Sequence, residues 1–206
     1  MTWQEVLAAA GYGDGTDLLR VPTSGTSGGT PRIVQRTVAS WVDSFEPFAA
    51  ATGITAADVV LAAGPPTSLF VYARAQSAWI GAASVVAARW DPRLLADATV
   101  AHLTPTMLAD VLDQPARFRP SLRLAVVAGA ALASGLRSAA QAAGIEVVEY
   151  YGAAELSFVA LGRGVLRPFS GVEVESRDGV LWVRSRWTAL GYEGDVAGPL
   201  RRDGSG

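Results

Sequence analysis

A chain of 206 residues, half of them hydrophobic, can bury a core without cross-links, and 17 basic against 19 acidic residues leave a net charge of -2, which argues against a nucleic-acid or anionic-membrane partner. It has no cysteine, which excludes disulfides and thiolate chemistry; its basic residues are all arginine, which excludes a lysine amine from within the chain; and its single histidine excludes sites built on two. The first ten residues include Gln4 and Glu5 and lack the basic start and apolar run of a signal peptide, so a cytoplasmic protein is expected.

In chain order, the apolar pattern predicts a helix over 2–10, a strand over 18–21, a Gly/Ser/Thr loop, a strand over 32–36, a helix over 40–51 and a strand over 59–62 bounded by Gly64, Pro65 and Pro66. Further strands are predicted at 84–87, 100–103, 122–128 and 146–150, with helices at 105–112 and 134–143. Strands apolar on both faces that alternate with helices predict an α/β fold with a mostly parallel, helix-covered sheet. Beyond Gly162, short alternating strands at 171–176 and 180–185 around Arg177-Asp178-Gly179 predict a small antiparallel β lobe. The expected division is a core over 1–162 and a lobe over 163–206. No apolar run is long enough to span a membrane. The polar, Gly-rich stretch from Asp195 to Gly206 reads as a chain stopping inside a loop.

The stretch Thr23-Ser24-Gly25-Thr26-Ser27-Gly28-Gly29-Thr30-Pro31-Arg32 sets five hydroxyls and three glycines before a guanidinium. Glycines let backbone N–H groups turn toward an anion, hydroxyls add donors, and the arginine supplies charge and a planar fork, so the pattern suits phosphate. It is not a Walker A loop, which ends in Gly-Lys-Ser/Thr. Two other readings remain: a flexible surface turn, and a Gly-x-Ser-x-Gly hydrolase elbow with Ser27 as nucleophile and His102 as base. Against the elbow, His102 sits mid-chain between strand-like residues, where a structural role suits it.

The loop resembles the phosphate-binding signature of AMP-forming acyl-CoA synthetases in the adenylate-forming superfamily, with one additional residue before Pro31 and Arg32 where lysine is commoner. Further segments in family order are similar: Ala101-His102-Leu103-Thr104-Pro105-Thr106; Val127-Ala128-Gly129-Ala130-Ala131; Tyr150-Tyr151-Gly152-Ala153-Ala154-Glu155; and Leu181-Trp182-Val183-Arg184-Ser185. The resemblance implies that Thr23, Ser24, Gly25, Thr26, Ser27, Gly28 and Arg32 wrap the phosphates of ATP, and that Gly129, Ala130 and Ala131 line the adenine. Tyr151, beside Tyr150, would stack on the base. Gly152 would let the acyl group approach the backbone, and Glu155 would be the catalytic carboxylate that holds Mg2+. Ala154 stands where the family has threonine, which removes a hydroxyl from the α-phosphate. Ser68, Phe70, Tyr72 and Trp79 are the implied walls of an acyl pocket.

The implied activity is that of an ATP-dependent ligase that activates a carboxylic acid as its adenylate and passes it to a thiol of coenzyme A or a carrier protein. The alternative is a catalytically impaired nucleotide- or acyl-binding module of the same fold. The family's mobile C-terminal domain, with its lysine, is expected to be absent from these residues, and the chain is read as a truncated core. A small carboxylic acid is the expected partner, and a homodimer is left open.

Overall fold

The structure, a computed structural model, describes residues 1–23, 32–115, 119–194, 198 and 200–203. In order the elements are α1 (Trp3–Ala9), β1 (Leu18–Pro22), β2 (Ile33–Thr37), α2 (Ala39–Val42), α3 (Phe45–Thr52), β3 (Val59–Ala63), α4 (Ser68–Ile80) and β4 (Ala83–Ala87). A 3-10 turn (Pro92–Leu95) leads to β5 (Val100–Leu103), α5 (Pro105–Asp113), β6 (Leu124–Val127), α6 (Ser134–Ala142) and β7 (Glu146–Ala153). The last strands are β8 (Ser157–Gly162), β9 (Arg167–Pro168), β10 (Val172–Arg177), β11 (Val180–Ser185) and β12 (Gly191–Tyr192).

Local chemistry explains the boundaries. Thr2 and Glu5 close a reciprocal cap on α1, and Thr104 caps α5, whose first residue, Pro105, needs no N–H partner there. The helix expected over 40–51 is two helices, α2 and α3, because a continuous helix would require the N–H that Pro47 lacks and would drive its ring into the carbonyl of Asp43. Restarting at Phe45 puts Pro47 in a first turn, where N–H groups are unpaired anyway. The turn between β10 and β11 has Asp178 at φ 51° and Gly179 at φ 77°, the two left-handed residues of a type I′ hairpin, as the Asp-Gly pair predicts.

The central sheet has the order β4-β3-β5-β6-β7-β8-β9; the first five strands are parallel, and β8 and β9 add antiparallel. A three-stranded antiparallel sheet, β1-β2-β12, lies beside it, and β10 and β11 form a separate hairpin. Alternate residues of the parallel strands feed two cores. Val60, Val100, Val126 and Val148 pack with the aromatic side chains of α2, α3, α4 and β8, while Leu61, Leu103, Val127 and Val147 pack under α5 and α6. Asp58 holds the strand starts together: its carboxylate accepts from Arg123 (2.7 Å), Thr99 Oγ1 (2.8 Å) and the Thr55 N–H (2.9 Å). Among the described residues, no helix is long and apolar enough to cross a membrane.

Candidate nucleotide and acid site

From β3 the chain moves to one side of the sheet to form β4 and then to the other to form β5, so the sheet has a switch point between β3 and β5. In open α/β sheets, ligands bind outside the carboxyl ends of the strands near such a point. A cleft of about 100 Å³ lies there. Ser68 and Leu69 at the start of α4, Gly129 after β6, and Tyr150, Gly152 and Ala154 border it, with Arg36, Trp41, Tyr72 and Phe158 behind. That volume holds a small group; Ala130, Ala131 and Tyr151 are exposed.

Ser24, Gly25, Thr26, Ser27 and Gly28 lie outside the described residues. The stem of their loop is described: the Thr23 N–H donates to the Arg32 carbonyl (2.8 Å), and the Arg32 N–H donates to Thr23 Oγ1 (3.1 Å). This stem continues into β2, which pairs with β12 through Val34 and Tyr192. Tyr192 in turn donates its hydroxyl to Glu155 Oε1 (2.8 Å). Burial raises the Tyr192 phenol pKa, accepting by Glu155 raises it further, and the Arg32 cation opposes both. The loop stem and the Tyr150–Glu155 segment therefore meet through one tyrosine.

Arg36 makes the same connection from below. Its side chain is fully buried. Nε donates to Ser40 Oγ (2.9 Å), Nη1 to the Ala154 carbonyl (2.9 Å) and Nη2 to the Trp187 carbonyl. Burial lowers its pKa to about 9 against the favourable fields of Tyr72 and Glu155. It remains a cation at pH 7 and ties β2 to the segment that carries Glu155. Sequence reading missed Arg36, because an arginine in an alternating strand reads as a solvent-facing residue.

Gly152 is needed for a steric reason within the fold itself. A Cβ there would lie 2.2 Å from the Ser157 carbonyl oxygen, because the β7–β8 hairpin is pinched where its pairing shifts between Tyr151 and Gly152. Ser157 itself sits at φ 59°, unusual for a residue with a side chain. Gly129, at φ 92°, turns the chain sharply after β6 and places residues 129–131 at the sheet's rim.

The structure brings Thr23, Arg32, Gly129, Tyr150, Tyr151, Gly152, Ala154 and Glu155 to one end of the sheet, together with Ser68 and Tyr72. Phe70 and Trp79 do not border the cleft. Phe70 is buried against Gly64, and Trp79 is half exposed near the far end of α4, its ring 5.9 Å from Phe45. His102 is enclosed in the core against Phe48. Among the described residues, no group of three or more acidic or histidine side chains could hold a metal by itself.

The AMP-binding enzyme family matches residues 17–193, and the chain belongs to that family. Solved structures agree. A variant of E. coli MenE with bound OSB-AMS superimposes with a TM-score of 0.73 at 26% identity, covering 84% of this chain and 40% of that one. O-succinylbenzoate coenzyme A synthetase (MenE) from Bacillus subtilis, in complex with ATP and magnesium ion, gives 0.69 at 25% identity, covering 84% and 42%. ATP-bound MatB from Rhodopseudomonas palustris, at 20% identity and a TM-score of 0.73 over 84% and 40%, shares the fold. The chain thus spans about 40% of the length of these solved relatives. No curated protein matches it.

Proposed function

We propose that this chain is the nucleotide-binding core of an ATP-dependent ligase that activates a carboxylic acid as its acyl-adenylate and then transfers the acyl group to a thiol, of coenzyme A or of a carrier protein. The observation that carries the reading is the meeting of the loop stem, Tyr192, Glu155 and the Tyr150–Ala154 segment at the carboxyl ends of the parallel strands. Supporting it, the names of two relatives at 25% identity or more give bound OSB-AMS for one and ATP with magnesium ion for the other.

In this reaction the acid's carboxylate oxygen attacks the α-phosphorus of ATP, an O–P bond forms as the bond to pyrophosphate breaks, and negative charge builds on the phosphoryl oxygens. The chain's own part is to bind and orient. Thr23, Arg32 and the intervening hydroxyls and N–H groups hold the phosphates, and Tyr151, 48% exposed, offers a face to the base. Gly129, Ala130 and Ala131 border the adenine, and the cleft beneath Tyr150 receives the acid. Mg2+ commonly binds one or two carboxylates plus phosphate oxygens and water, so the lone Glu155 fits it; the ion would supply charge screening. In this reading residues 1–162 form the nucleotide-binding core and 163–206 a β lobe.

Ala154 favours a second reading, an impaired module that binds without turnover. It offers no hydroxyl, and its carbonyl is occupied by Arg36. Calorimetry with ATP and Mg2+ tests binding, with a Kd of about 1 mM or tighter expected and the Mg2+ dependence lost in Glu155→Gln. No heat at millimolar nucleotide overturns the assignment. Pyrophosphate exchange separates ligase from module.

A further inference from the structure

Behind the cleft lie two polar side chains that the reaction just described does not use. Gln76 on α4 is fully buried, His102 on β5 is 1% exposed, and among the described residues neither amide atom of Gln76 and neither ring nitrogen of His102 has a hydrogen-bond partner. Buried polar groups in folded proteins are nearly always paired, so two orphaned residues in one region call for a ligand or water.

Helix α4 packs against β5, and a run of aromatic contacts links the two positions. The Phe45 ring lies 5.2 Å from Tyr72 and 5.9 Å from Trp79, which are seven residues apart on α4. Gln76 stands between those two on the same helical face, so it faces α3. Phe48, one turn along α3, meets Tyr72 at 5.5 Å and stacks on His102 at 6.0 Å. Phe48 also touches Phe158 (4.7 Å) and Tyr150 (6.1 Å), the aromatic wall of the cleft. From the cleft inward, the order is an apolar aromatic wall and then an unpaired amide and imidazole.

We propose that Gln76 and His102 form the inner end of the acid pocket and hydrogen-bond an uncharged oxygen group at the end of the substrate remote from its carboxylate, which makes the substrate class an aromatic acid with a distal hydroxyl or carbonyl. This rests on the acid-activating reading above. Burial alone lowers the His102 pKa to about 4, so at pH 7 the ring is neutral and offers one donor and one acceptor. The Gln76 amide offers both as well. Among the described residues no arginine donates a hydrogen bond to either side chain, which disfavours a second carboxylate. Phe48 and Tyr72 stand between this subsite and the cleft, so a substrate reaches it by displacing one of those rings.

His102 is the only histidine, so its ring is a clean reporter. The test titrates the 206-residue chain, saturated with AMP and labelled with 15N-histidine, with two isosteric pairs: 4-hydroxybenzoate against 4-methylbenzoate, and 4-hydroxycinnamate against 4-methylcinnamate. In at least one pair the hydroxy acid should bind about tenfold tighter or more, because a polar pocket rejects the analogue that leaves it unpaired, and should move an imidazole 15N resonance that the methyl acid leaves in place. Gln76→Leu and His102→Leu should remove the preference while AMP affinity stays unchanged. Equal affinities in both pairs, a still imidazole signal, or no acid binding beside intact AMP binding each overturn the proposal. The wild-type spectra decide it even if a variant fails to fold. Failure of AMP to bind strikes the proposed function instead, and this inference with it.

Discussion

Gly152→Ala separates two explanations of one glycine. If Gly152 is there to let a ligand approach the backbone, an added methyl group leaves stability alone and blocks binding. The structure gives a steric reason as well. The new Cβ would stand 2.2 Å from the Ser157 carbonyl oxygen and 3.1 Å from its carbon, whereas carbon–oxygen contacts settle at about 3.3 Å or more, so β7 and β8 must separate by about 1 Å. Neither strand yields freely: β7 is paired in parallel to β6, and Phe158 on β8 stacks on Phe48 at 4.7 Å. Overpacking of this kind costs about 1–3 kcal/mol, which in a chain of this length lowers Tm by roughly 3–10 °C. The same displacement moves Tyr151 and Glu155, so AMP and ATP binding weaken in parallel. Urea unfolding followed by tryptophan fluorescence gives the first quantity, and calorimetry gives the second. Stability within about 0.5 kcal/mol of wild type together with lost binding would refute the steric argument and restore the ligand-approach role.

The Asp58 cluster gives a pH signature. Burial alone would raise the Asp58 pKa, but hydrogen bonds from Arg123, Thr55 and Thr99 outweigh it and lower the value from 3.8 to about 2. The folded-state pKa is depressed, so the contribution, about 2 kcal/mol, is present above pH 4 and disappears as pH falls through 2. The unfolding free energies of wild type and Asp58→Asn should therefore differ at pH 7 and converge near pH 2, and a difference independent of pH counts against the linkage. Arg36→Lys keeps a charge but loses the planar fork that reaches Ser40, Ala154 and Trp187 together. AMP affinity should fall about tenfold, since small displacements of positioning groups are costly, while far-ultraviolet circular dichroism stays unchanged. Unaltered affinity in calorimetry would show that Arg36 does not position the segment.

Much of this protein is legible without coordinates because its signals are local. A strand buried on both faces, such as 124–127, reads as a continuous apolar run; Asp178-Gly179 can only turn; and Thr104-Pro105 can start a helix from neighbouring atoms alone. The order of motifs along the chain likewise carries the resemblance to adenylate-forming enzymes, and the chain belongs to the AMP-binding enzyme family. What stayed hidden depends on contacts between distant residues. Helix α4 is buried around most of its surface between α1 and the sheet, so it lacks the polar face that marks a helix in sequence. The cation of Arg36 is internal only because Ala154 and Trp187, more than a hundred residues away, present carbonyls to it. Gly152 faces its own hairpin, and Gln76 and His102 are buried only because α3, α4 and β5 pack together. Spacing along a chain records short-range geometry, whereas burial and polar partnership belong to pairs that only folding brings within reach.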